Sequence, residues 1–540
     1  MAYVKPGVEI TQVNVSSSPT LIAPDLATAI VAPAYKVVPM TGTGSYEYSQ
    51  VAALGANVVN ISGLDSNLYL DKDSVIVDLL VPSTQLRMSL SPGDLTGVTD
   101  GGTSLTIASG IVTSDYVGAK IYVGYRAMRK DLENQFLTLD SQDAYTNYFG
   151  EGQQVWDNPL PFALAQADAN TGSAVYGVAV KADDYSSVVA SGTILSEHTA
   201  AQEVLSLQEV YAIAPYTKDS TTIASYATHV DSMSVATAKK ERIAFIAPEI
   251  VWKTAGDITT VDPWAADKSK TALAIQNASY AVLNKRVFNV YPDVAYYAVS
   301  GAPIQKIKGS FLSAMYDLGT TEYAILNKTY KLASGVTYAA GTTVTDTVWT
   351  ALKADPNNVS FDVLVPMPGY FVAAAVAGQV SGQNPEQGFT NLPFAGPAKI
   401  KYSNDWFLES QLNTMVGGLG GAYIIVQVGP SVYSRHQLST NATTVEFREL
   451  NITKSVDYTA KFIRNTVSGY IGRSLITPSF LQNISSIIGG LGSVLVKDGR
   501  LNDFKLGTVV QDTVNPDTVR ATIQVFPKYP VNYIKIDLLF

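Results

Sequence analysis

The stretch that decides how this chain is organised is 521–540, ATIQVFPKYPVNYIKIDLLF. From Val519 to Val525 apolar residues alternate with polar ones, which predicts a strand with one buried face. Pro527 and Pro530 stop that strand, and the alternation resumes beyond them. The residues that mark the second predicted strand are Tyr533, Ile534, Ile536, Leu538 and Phe540.

The joint between these two predicted strands is Pro-Lys-Tyr-Pro, residues 527–530. It lacks the Gly or Asn that tight hairpins prefer, so it favours an extended connection. Two interpretations follow. The last strand is either an edge strand of its own domain, or it is exported and pairs with the bare edge of another chain.

Composition bounds the class of protein. A chain of 540 residues is expected to form about three or four domains. Only 15% of its residues are charged, against roughly 25% in an ordinary soluble domain. We therefore expect partners to cover much of the surface. The net charge of −9 shows no basic bias and argues against direct nucleic-acid binding.

Residue usage also restricts the chemistry. Cysteine is absent, and His198, His229 and His436 stand far apart in the sequence. Disulfides, thiolate sites and a Cys nucleophile are excluded. We expect no metal site, no cofactor and no catalytic residues. The N-terminus lacks the apolar core of a signal peptide, and no apolar run of about 18 residues is evident, so we expect a soluble protein without membrane insertion.

The N-terminal twenty residues resemble the C-terminal stretch in pattern. Pro6, Gly7 and Pro19 disfavour helix, and Pro19 is a candidate joint. Alternation that changes parity near Gln12 predicts an extended arm with a bulge. The residues expected to carry this arm are Val8, Ile10, Val13 and Val15.

Two segments have the short alternating runs and frequent turn residues of antiparallel β structure. The first is 40–135, which predicts an inserted β domain. The second is 318–360, in which SGVTYAAGTT at 334–343 predicts a hairpin tip.

Strands and helices alternate from Leu137 to about Ser300, which predicts a layered α/β unit. The predicted strands are 174–180, 208–215, 242–247 and 286–291, and the predicted helices are about 220–238 and 265–285. Such units often bind nucleotides through a glycine-rich turn. No G-x-G-x-x-G or G-K-[ST] occurs in the chain, so a nucleotide site is not expected.

The C-terminal third predicts an α+β body. We expect helix at 370–382, a strand at 422–429, an extended segment at 446–452, and helices at 453–471 and from Thr477 to Gly489–Gly490. In the 453–471 helix an apolar stripe begins at Val456, and the opposite face is expected to lie in solvent. That face carries Lys454, Lys461 and Arg464.

Several ordered segments resemble the contractile tail sheath proteins of bacteriophages. They are Pro6-Gly7-Val8, RVFNVYPD at 286–293, GYFVAAAVAGQVSGQNPEQGFTNLP at 369–393, YSRHQLS at 433–439 and EFRELNIT at 446–453. No single one is diagnostic, but the ordered resemblance extends over about two thirds of the chain, from Leu137 to Phe540 apart from the 318–360 insertion. The 40–135 segment has no counterpart in the shortest family members and resembles the outer domain of larger ones.

The resemblance implies a multidomain α+β and α/β fold. Its expected parts are an N-terminal arm (1–20), a middle α/β domain (21–39 and 136–317), an outer β domain (40–135), a hairpin-like insertion (318–360), an inner α+β domain (361–526) and a C-terminal arm (527–540).

The resemblance also implies partners. The subunit is expected to associate with itself in stacked hexameric rings, with a tail tube, and with baseplate and neck or terminator proteins. Its expected location is a virion tail assembled in the host cytoplasm. Cations are the candidates to face the tube, namely Lys454, Lys461, Arg464, Lys497 and Arg500.

Three alternatives stay open at this point. The sheath of a phage-derived bacteriocin or secretion system would have the same sequence features. A surface adhesin or S-layer-like protein would suit the low charge and the β segments. A hydrolase on the α/β unit lacks a G-x-S-x-G motif and is disfavoured.

Overall fold

The chain forms two compact units of mixed helix and strand. The computed structural model describes residues 26–38, 47–50, 57–60, 64, 68–70, 75–80, 83–84, 87–90, 94–97, 102, 104–108, 119–138, 148–149, 158–180, 191–247, 268–303, 323–355, 360–400, 410–411 and 420–532. The larger unit holds the described residues up to Thr453 together with Val531 and Asn532, and the smaller unit is Lys454–Pro530.

The strands are short in the first third of the chain and longer towards its end. In chain order they are β1 (Thr28–Pro33), β2 (Tyr35–Val38), β3 (Glu47–Gln50), β4 (Asn57–Asn60), β5 (Leu68–Leu70), β6 (Ile76–Leu80), β7 (Arg87–Ser89), β8 (Leu95–Thr96), β9 (Ser104–Ile107), β10 (Lys120–Arg129), β11 (Phe136–Thr138), β12 (Val175–Val180), β13 (Ala212–Pro215), β14 (Ile243–Ile246), β15 (Val287–Tyr291), β16 (Val294–Pro303), β17 (Ile325–Leu326), β18 (Tyr330–Lys331), β19 (Thr337–Tyr338), β20 (Ser360–Pro368), β21 (Pro393–Phe394), β22 (Lys399–Ile400), β23 (Tyr423–Val428), β24 (Ser431–Gln437), β25 (Leu501–Gln511) and β26 (Val519–Pro527).

The helices fall mainly between strands of the larger unit and in the last fifth of the chain. In chain order they are α1 (Pro159–Asp168), α2 (Ser191–Leu207), α3 (Ser220–Met233), α4 (Lys268–Val282), α5 (Asp346–Ala354), α6 (Gly369–Gly382), α7 (Val445–Arg448), α8 (Leu450–Val467) and α9 (Pro478–Lys497).

A nine-stranded sheet organises the larger unit, in the order β11-β12-β1-β13-β14-β15-β23-β24-β21. The six strands from β12 to β23 run parallel. Antiparallel pairings flank them, with β11 on β12 at one side and with β24 on β23 and β21 on β24 at the other. Buried aliphatic runs such as TAIVAP in β1 suit parallel strands that are covered on both faces. The α/β alternation predicted from the sequence is therefore present in the structure.

Helices cover this sheet on two sides. On one face, side chains of α2 and α3 form a core with alternate residues of β1, β12 and β13, including Ala29, Val31, Leu205 and Tyr226. On the other face, α6 packs across β13, β14 and β1 and against α1. The Thr28 hydroxyl donates to the α6 carbonyl of Ala377 at 3.1 Å. The result is a three-layer arrangement around one sheet.

The sheet extends beyond the domain boundary that the sequence suggested at residue 361. β23 pairs in parallel with β15, with Val290 opposite Tyr423 and Tyr291 opposite Ile424. Side chains from both segments share a core with α4. The segment up to Thr453 therefore lies in the same compact unit as the middle α/β part, and the division into domains expected from the sequence stays a prediction. Strand pairing between distant segments leaves no local mark in a sequence.

The first third of the chain carries an antiparallel β region. β10 pairs with β2, β3, β5 and β6, and β7 pairs with β6. A separate three-stranded sheet is formed by β4, β9 and β8. Side chains from this region make a hydrophobic cluster of their own, including Val77, Leu79, Ile121 and Val123. Its β character agrees with the sequence pattern of 40–135, and β2 joins it from outside that range.

The region near 318–360 is only partly a hairpin. β18 and β19 pair across the turn 332–336, so the tip predicted at 334–343 is misplaced, because Thr337 and Tyr338 of that stretch form β19. The nine-residue helix α5 then follows, and the sequence interpretation missed it. Thr345 caps α5 by accepting from the Val348 amide at 3.4 Å. Trp349 and Leu352 are its buried residues.

Aromatic rings pack at the point where doubly wound sheets usually bind ligands. Strand order reverses at β1, because β12 lies on one side of it and β13 on the other. At the end of β13, the Tyr216 ring lies 3.9 Å from that of Tyr370 and 5.4 Å from that of Phe371, measured between centroids. Phe162 packs against Phe371 at 4.7 Å. These rings form a hydrophobic contact between β13, α1 and α6.

Close backbone contact between α1 and α6 depends on glycine. A Cβ at Gly378 would lie 2.1 Å from the carbonyl oxygen of Ala167, and one at Gly382 would lie 2.7 Å from the amide of Gly172. We expect Gly378→Ala to lower the free energy of unfolding by at least about 1–3 kcal/mol, because backbone atoms must move apart. The urea midpoint of the larger unit measures this.

Gly172→Ala is the matched control for this change. A Cβ at Gly172 meets no atom within 4 Å, so its effect should stay within about 0.5 kcal/mol. Equal midpoints for the two variants would contradict the close-packing interpretation.

Candidate strand-addition interface

The smaller unit contains a two-stranded antiparallel sheet. β25 and β26 pair with Phe504 opposite Val525 and Leu506 opposite Ile523. Side chains of these pairs are half-buried, whereas those between them, such as Lys505 and Gln524, are exposed. The strand predicted at 519–525 is thus paired within its own chain, as the alternation implied.

Helix α9 packs against this sheet. Thr477 caps the helix by accepting from the Phe480 amide at 3.2 Å, and Pro478 follows at the first position, as predicted. The predicted end at Gly489–Gly490 is wrong, since α9 continues to Lys497. By length and composition alone α9 could cross a membrane, which is weak evidence because core helices of soluble proteins pass the same test.

The glycines of α9 have a packing role. A Cβ at Gly492 would lie 1.9 Å from the ring of Phe504, so the ring of β25 rests on the bare helix backbone. Gly489 is less confined, since a Cβ there would lie 3.9 Å from the Leu506 side chain, an ordinary van der Waals distance. Gly492, and not the Gly489–Gly490 pair that the sequence suggested as a helix stop, therefore allows the strand to approach the helix.

An aspartate organises the turn between β25 and β26. Asp512 Oδ1 accepts from the amides of Val514 at 2.8 Å and Asn515 at 3.3 Å, and Oδ2 pairs with Arg520. These backbone hydrogen bonds, helped by the Arg520 guanidinium, hold the pKa of Asp512 below its ordinary value. A depressed pKa means that the turn is stabilised above about pH 3.8 and weakened as the pH falls further.

Both outer edges of this sheet are open in the part of the chain that the structure describes. No third strand there pairs with β25 or with β26. The strands are eleven and nine residues long, and exposed apolar side chains lie along them at Val510 and Phe526. Long unpaired edges are templates for another strand, and monomeric proteins usually block them.

The chain leaves this sheet through the predicted joint. Pro527 is the last residue of β26, and Pro530 follows three residues later. The arm residues Val8, Ile10, Val13, Val15, Pro19, Tyr533, Ile534, Ile536, Leu538 and Phe540 lie outside the described residues. Their pairing stays a prediction.

The solvent-exposed cationic face expected on α8 is wrong for two of its three members. Lys454 and Lys461 are 0% and 5% exposed, and Arg464 is half-buried, while the apolar Val456 is 42% exposed. Asp457 stands three residues after Lys454 and four before Lys461, the spacing at which helical side chains are neighbours. A helix face that carries both signs of charge can be buried with its charges compensated.

The other two candidate cations differ in setting. Lys497 is exposed in the last turn of α9, where the helix dipole favours a positive charge. Arg500 is half-buried, and its guanidinium carbon lies 4.7 Å from the ring centroid of Tyr458. Of the five candidate cations, Lys497 alone is exposed.

A buried carboxylate that the sequence interpretation missed lies in the larger unit. Residues 446–452 are not extended, because α7 and α8 meet there with Glu449 between them. The Glu449 side chain is fully buried. Its contacts are with Arg448 at 3.1 Å, His436 at 3.4 Å, Gln437 at 3.3 Å and Asn532 at 2.9 Å. In the sequence, only the position of Glu449 directly after the short amphipathic segment 445–448 indicated a buried carboxylate, and that signal is weak.

The histidines lie on different elements. His198 of α2 is buried within 3.0 Å of the Tyr226 hydroxyl, and burial lowers its pKa to about 3. Burial, with the charge of Arg242, lowers the pKa of His229 of α3 to about 4. Both are neutral at pH 7 and pack in helix layers. In the described residues no three His, Asp or Glu side chains group as metal ligands.

Comparisons with known proteins give distant structural similarity. No family model and no curated protein match the chain. A structure of the anti-feeding prophage helical sheath in the contracted state is 11% identical, covers 76% of this chain and 89% of its own, and has a TM-score of 0.46. The sheath tail protein of Desulfitobacterium hafniense is 8% identical over 97% of this chain and 100% of its own, with a TM-score of 0.40. That of Listeria innocua is 10% identical over 94% and 93%, with a TM-score of 0.39.

These similar structures are sheath proteins of contractile systems, the class that the sequence resemblance named. TM-scores below 0.5 leave the function to be argued from the residues of this chain.

Gly492 offers a direct test of how the open sheet is supported. We expect Gly492→Ala to displace Phe504 and to lower the free energy of unfolding of the smaller unit by at least about 1–3 kcal/mol. Gly490→Ala, in the same helix with no atom within 4 Å of its Cβ, should instead stabilise by about 0.5–1 kcal/mol. Urea unfolding of both variants measures the difference, and effects of the same sign would contradict the packing described.

Proposed function

We propose that this chain is the structural subunit of a contractile sheath, and that it assembles with copies of itself by strand addition. The observation that carries the proposal is the β25–β26 sheet, which has two long open edges in the described part of the chain. The same chain has strand-like sequences at 1–20 and 531–540. An incomplete sheet and spare strands in one subunit suit exchange between neighbours.

Strand addition fits a lattice whose subunits must move without separating. Main-chain hydrogen bonds form along the whole strand and are insensitive to rotation of the body beyond a bendable joint. Pro527 and Pro530 on one side, and Pro19 on the other, are the proposed joints. Such links hold stacked hexameric rings together while the rings rotate and approach each other.

The proposed work of contraction comes from a metastable assembly and not from catalysis. The sequence carries no nucleotide-binding motif, and aromatic rings pack at the switch point of the large sheet. A lattice that relaxes to a state with better subunit contacts can supply the energy. The proposed partners are a tail tube, a baseplate and neck or terminator proteins, in a tail assembled in the host cytoplasm. Contraction would drive the tube through a host envelope for genome delivery.

Two other functions differ from this one in what they predict. A bacteriocin or secretion-system sheath would be the same machine without a genome, and neighbouring capsid genes would distinguish a virion. An adhesin or S-layer-like protein would form flat arrays or remain single. Long hollow tubes of the purified protein in negative-stain micrographs support the sheath. Particles that stay single at every salt concentration would count against it.

A pair of prolines tests strand addition. Neighbouring residues of a strand point their N–H groups towards opposite edges of the strand, and proline has no N–H group. Lys535→Pro together with Ile536→Pro therefore removes a hydrogen bond to the neighbouring strand, whichever edge of this segment is paired. We expect this variant to fold as wild type, by circular dichroism, and to form no tubes. Lys535→Ala with Ile536→Val keeps the main chain and should form tubes. Tubes from the proline variant would refute strand addition by this segment.

Lys497 tests the attachment to the tube. We propose that this exposed cation contacts acidic groups of the tube, with a contribution of only about 0–1 kcal/mol per subunit, which suits release. Lys497→Glu should then lower sheath assembly on purified tubes, most strongly at low salt. Lys353→Glu is the control, because Lys353 is also exposed in the last turn of a helix, α5. Equal assembly by both variants would exclude the contact.

A further inference from the structure

The chain just beyond the proline joint is bound to a buried carboxylate. Asn532 Nδ2 donates to Glu449 Oε1 at 2.9 Å. Glu449 is fully buried, whereas Val531, next to Asn532, is 78% exposed. The contact is therefore made by one side chain that turns inward from an otherwise exposed segment.

Glu449 is held in place by groups from three directions. Arg448 of α7 reaches Oε1 at 3.1 Å, and His436 of β24 lies within 3.4 Å of the same oxygen. The side-chain amide of Gln437 donates through Nε2 to Glu449 Oε2 at 3.3 Å, and its Oε1 accepts from the Phe389 backbone amide. The basic side chains in contact with Glu449 are those of Arg448 and His436. The carboxylate thus has three contacts that do not involve Asn532.

The charge state of Glu449 follows from these contacts. Burial by itself raises the pKa of Glu449, but the hydrogen bond and charge of His436 and the charge of Arg448 hold that pKa below its ordinary value. The carboxylate is therefore ionised at neutral pH. A hydrogen bond from an amide to a buried, ionised carboxylate is stronger than one between neutral groups.

We propose that Glu449 clamps the root of the C-terminal arm onto its own subunit, so that the donated strand begins after Asn532. The contact between Asn532 and Glu449 lies within one chain and does not depend on the proposed function. Only the donation of residues 533–540 to a neighbouring subunit rests on it. With the clamp closed, residues 533–540 are available to a neighbour, and 528–530 remain the joint. With the clamp open, the free arm starts at Lys528 and is longer and more mobile.

The test is hydrogen exchange of the peptide that covers 528–540, in full-length protein. Wild type and variants are compared in the same oligomeric state, as checked by size-exclusion chromatography. Asn532→Ala should raise exchange of the amides around Asn532 about tenfold or more, the loss expected for a hydrogen bond to a charged group. Asn502→Ala, a change at an exposed asparagine of β25, should leave it unaltered.

Two further variants distinguish a direct clamp from general loosening. Asn532→Asp places a second carboxyl against Glu449, so the protection factor, which corrects for the intrinsic pH dependence of amide exchange, should fall at pH 7.5 and recover at lower pH, where the two carboxyls share a proton. Asn532→Asp combined with Glu449→Gln exchanges acceptor and donor, and should restore protection at pH 7.5. Peptides from β12 and β13 report whether the fold is intact.

The outcomes separate the clamp from the proposed function. Unchanged exchange in Asn532→Ala, or no restoration in the combined variant, would overturn the clamp. Neither exchange measurement requires the protein to form tubes. The clamp can therefore be confirmed if polymerisation fails, and refuted if polymerisation succeeds. Both predicted rises together with the restoration would establish that Glu449 holds the arm root.

Discussion

Pairing of β15 with β23 is the constraint on which the larger unit depends. It joins a strand that ends the α/β alternation to one more than 130 residues later, at Val290–Tyr423 and Tyr291–Ile424. Because β23 continues the parallel sheet, α4 can pack on both segments in one core. The antiparallel return β24 then brings His436 and Gln437 to Glu449. The carboxylate that receives Asn532 thus depends on a long-range strand pair.

The smaller unit differs from the larger one, because its sheet has only two strands in the described part of the chain. Two strands rest on one helix through Gly492 and Phe504, and Asp512 secures their turn. A two-stranded sheet is marginal by itself and needs helix packing or more strands for stability. In the function proposed above, strands from neighbouring copies would complete this sheet, and the proline joints would allow the subunits to move.

Much of the local structure could be predicted from spacing. The strand at 519–525, the cap at Thr477 and the four strands of the α/β part agree with the sequence interpretation. Errors came where a residue has two physical uses. Gly489–Gly490 were interpreted as a helix stop, but glycine within a helix costs only about 0.5–1 kcal/mol, and α9 continues through them to Lys497. Lys454 and Lys461 were interpreted as solvated, but lysines beside an aspartate can be buried.

The sequence by itself determined the elements, because periodicity and turn chemistry act over a few residues. It also excluded disulfides and thiolate sites, since no cysteine occurs. Only the tertiary structure decided that 361–453 belongs to the larger unit, that β25 and β26 have open edges, and that Glu449 is buried against Asn532. Those features depend on contacts between residues far apart in the chain, and no local pattern records them.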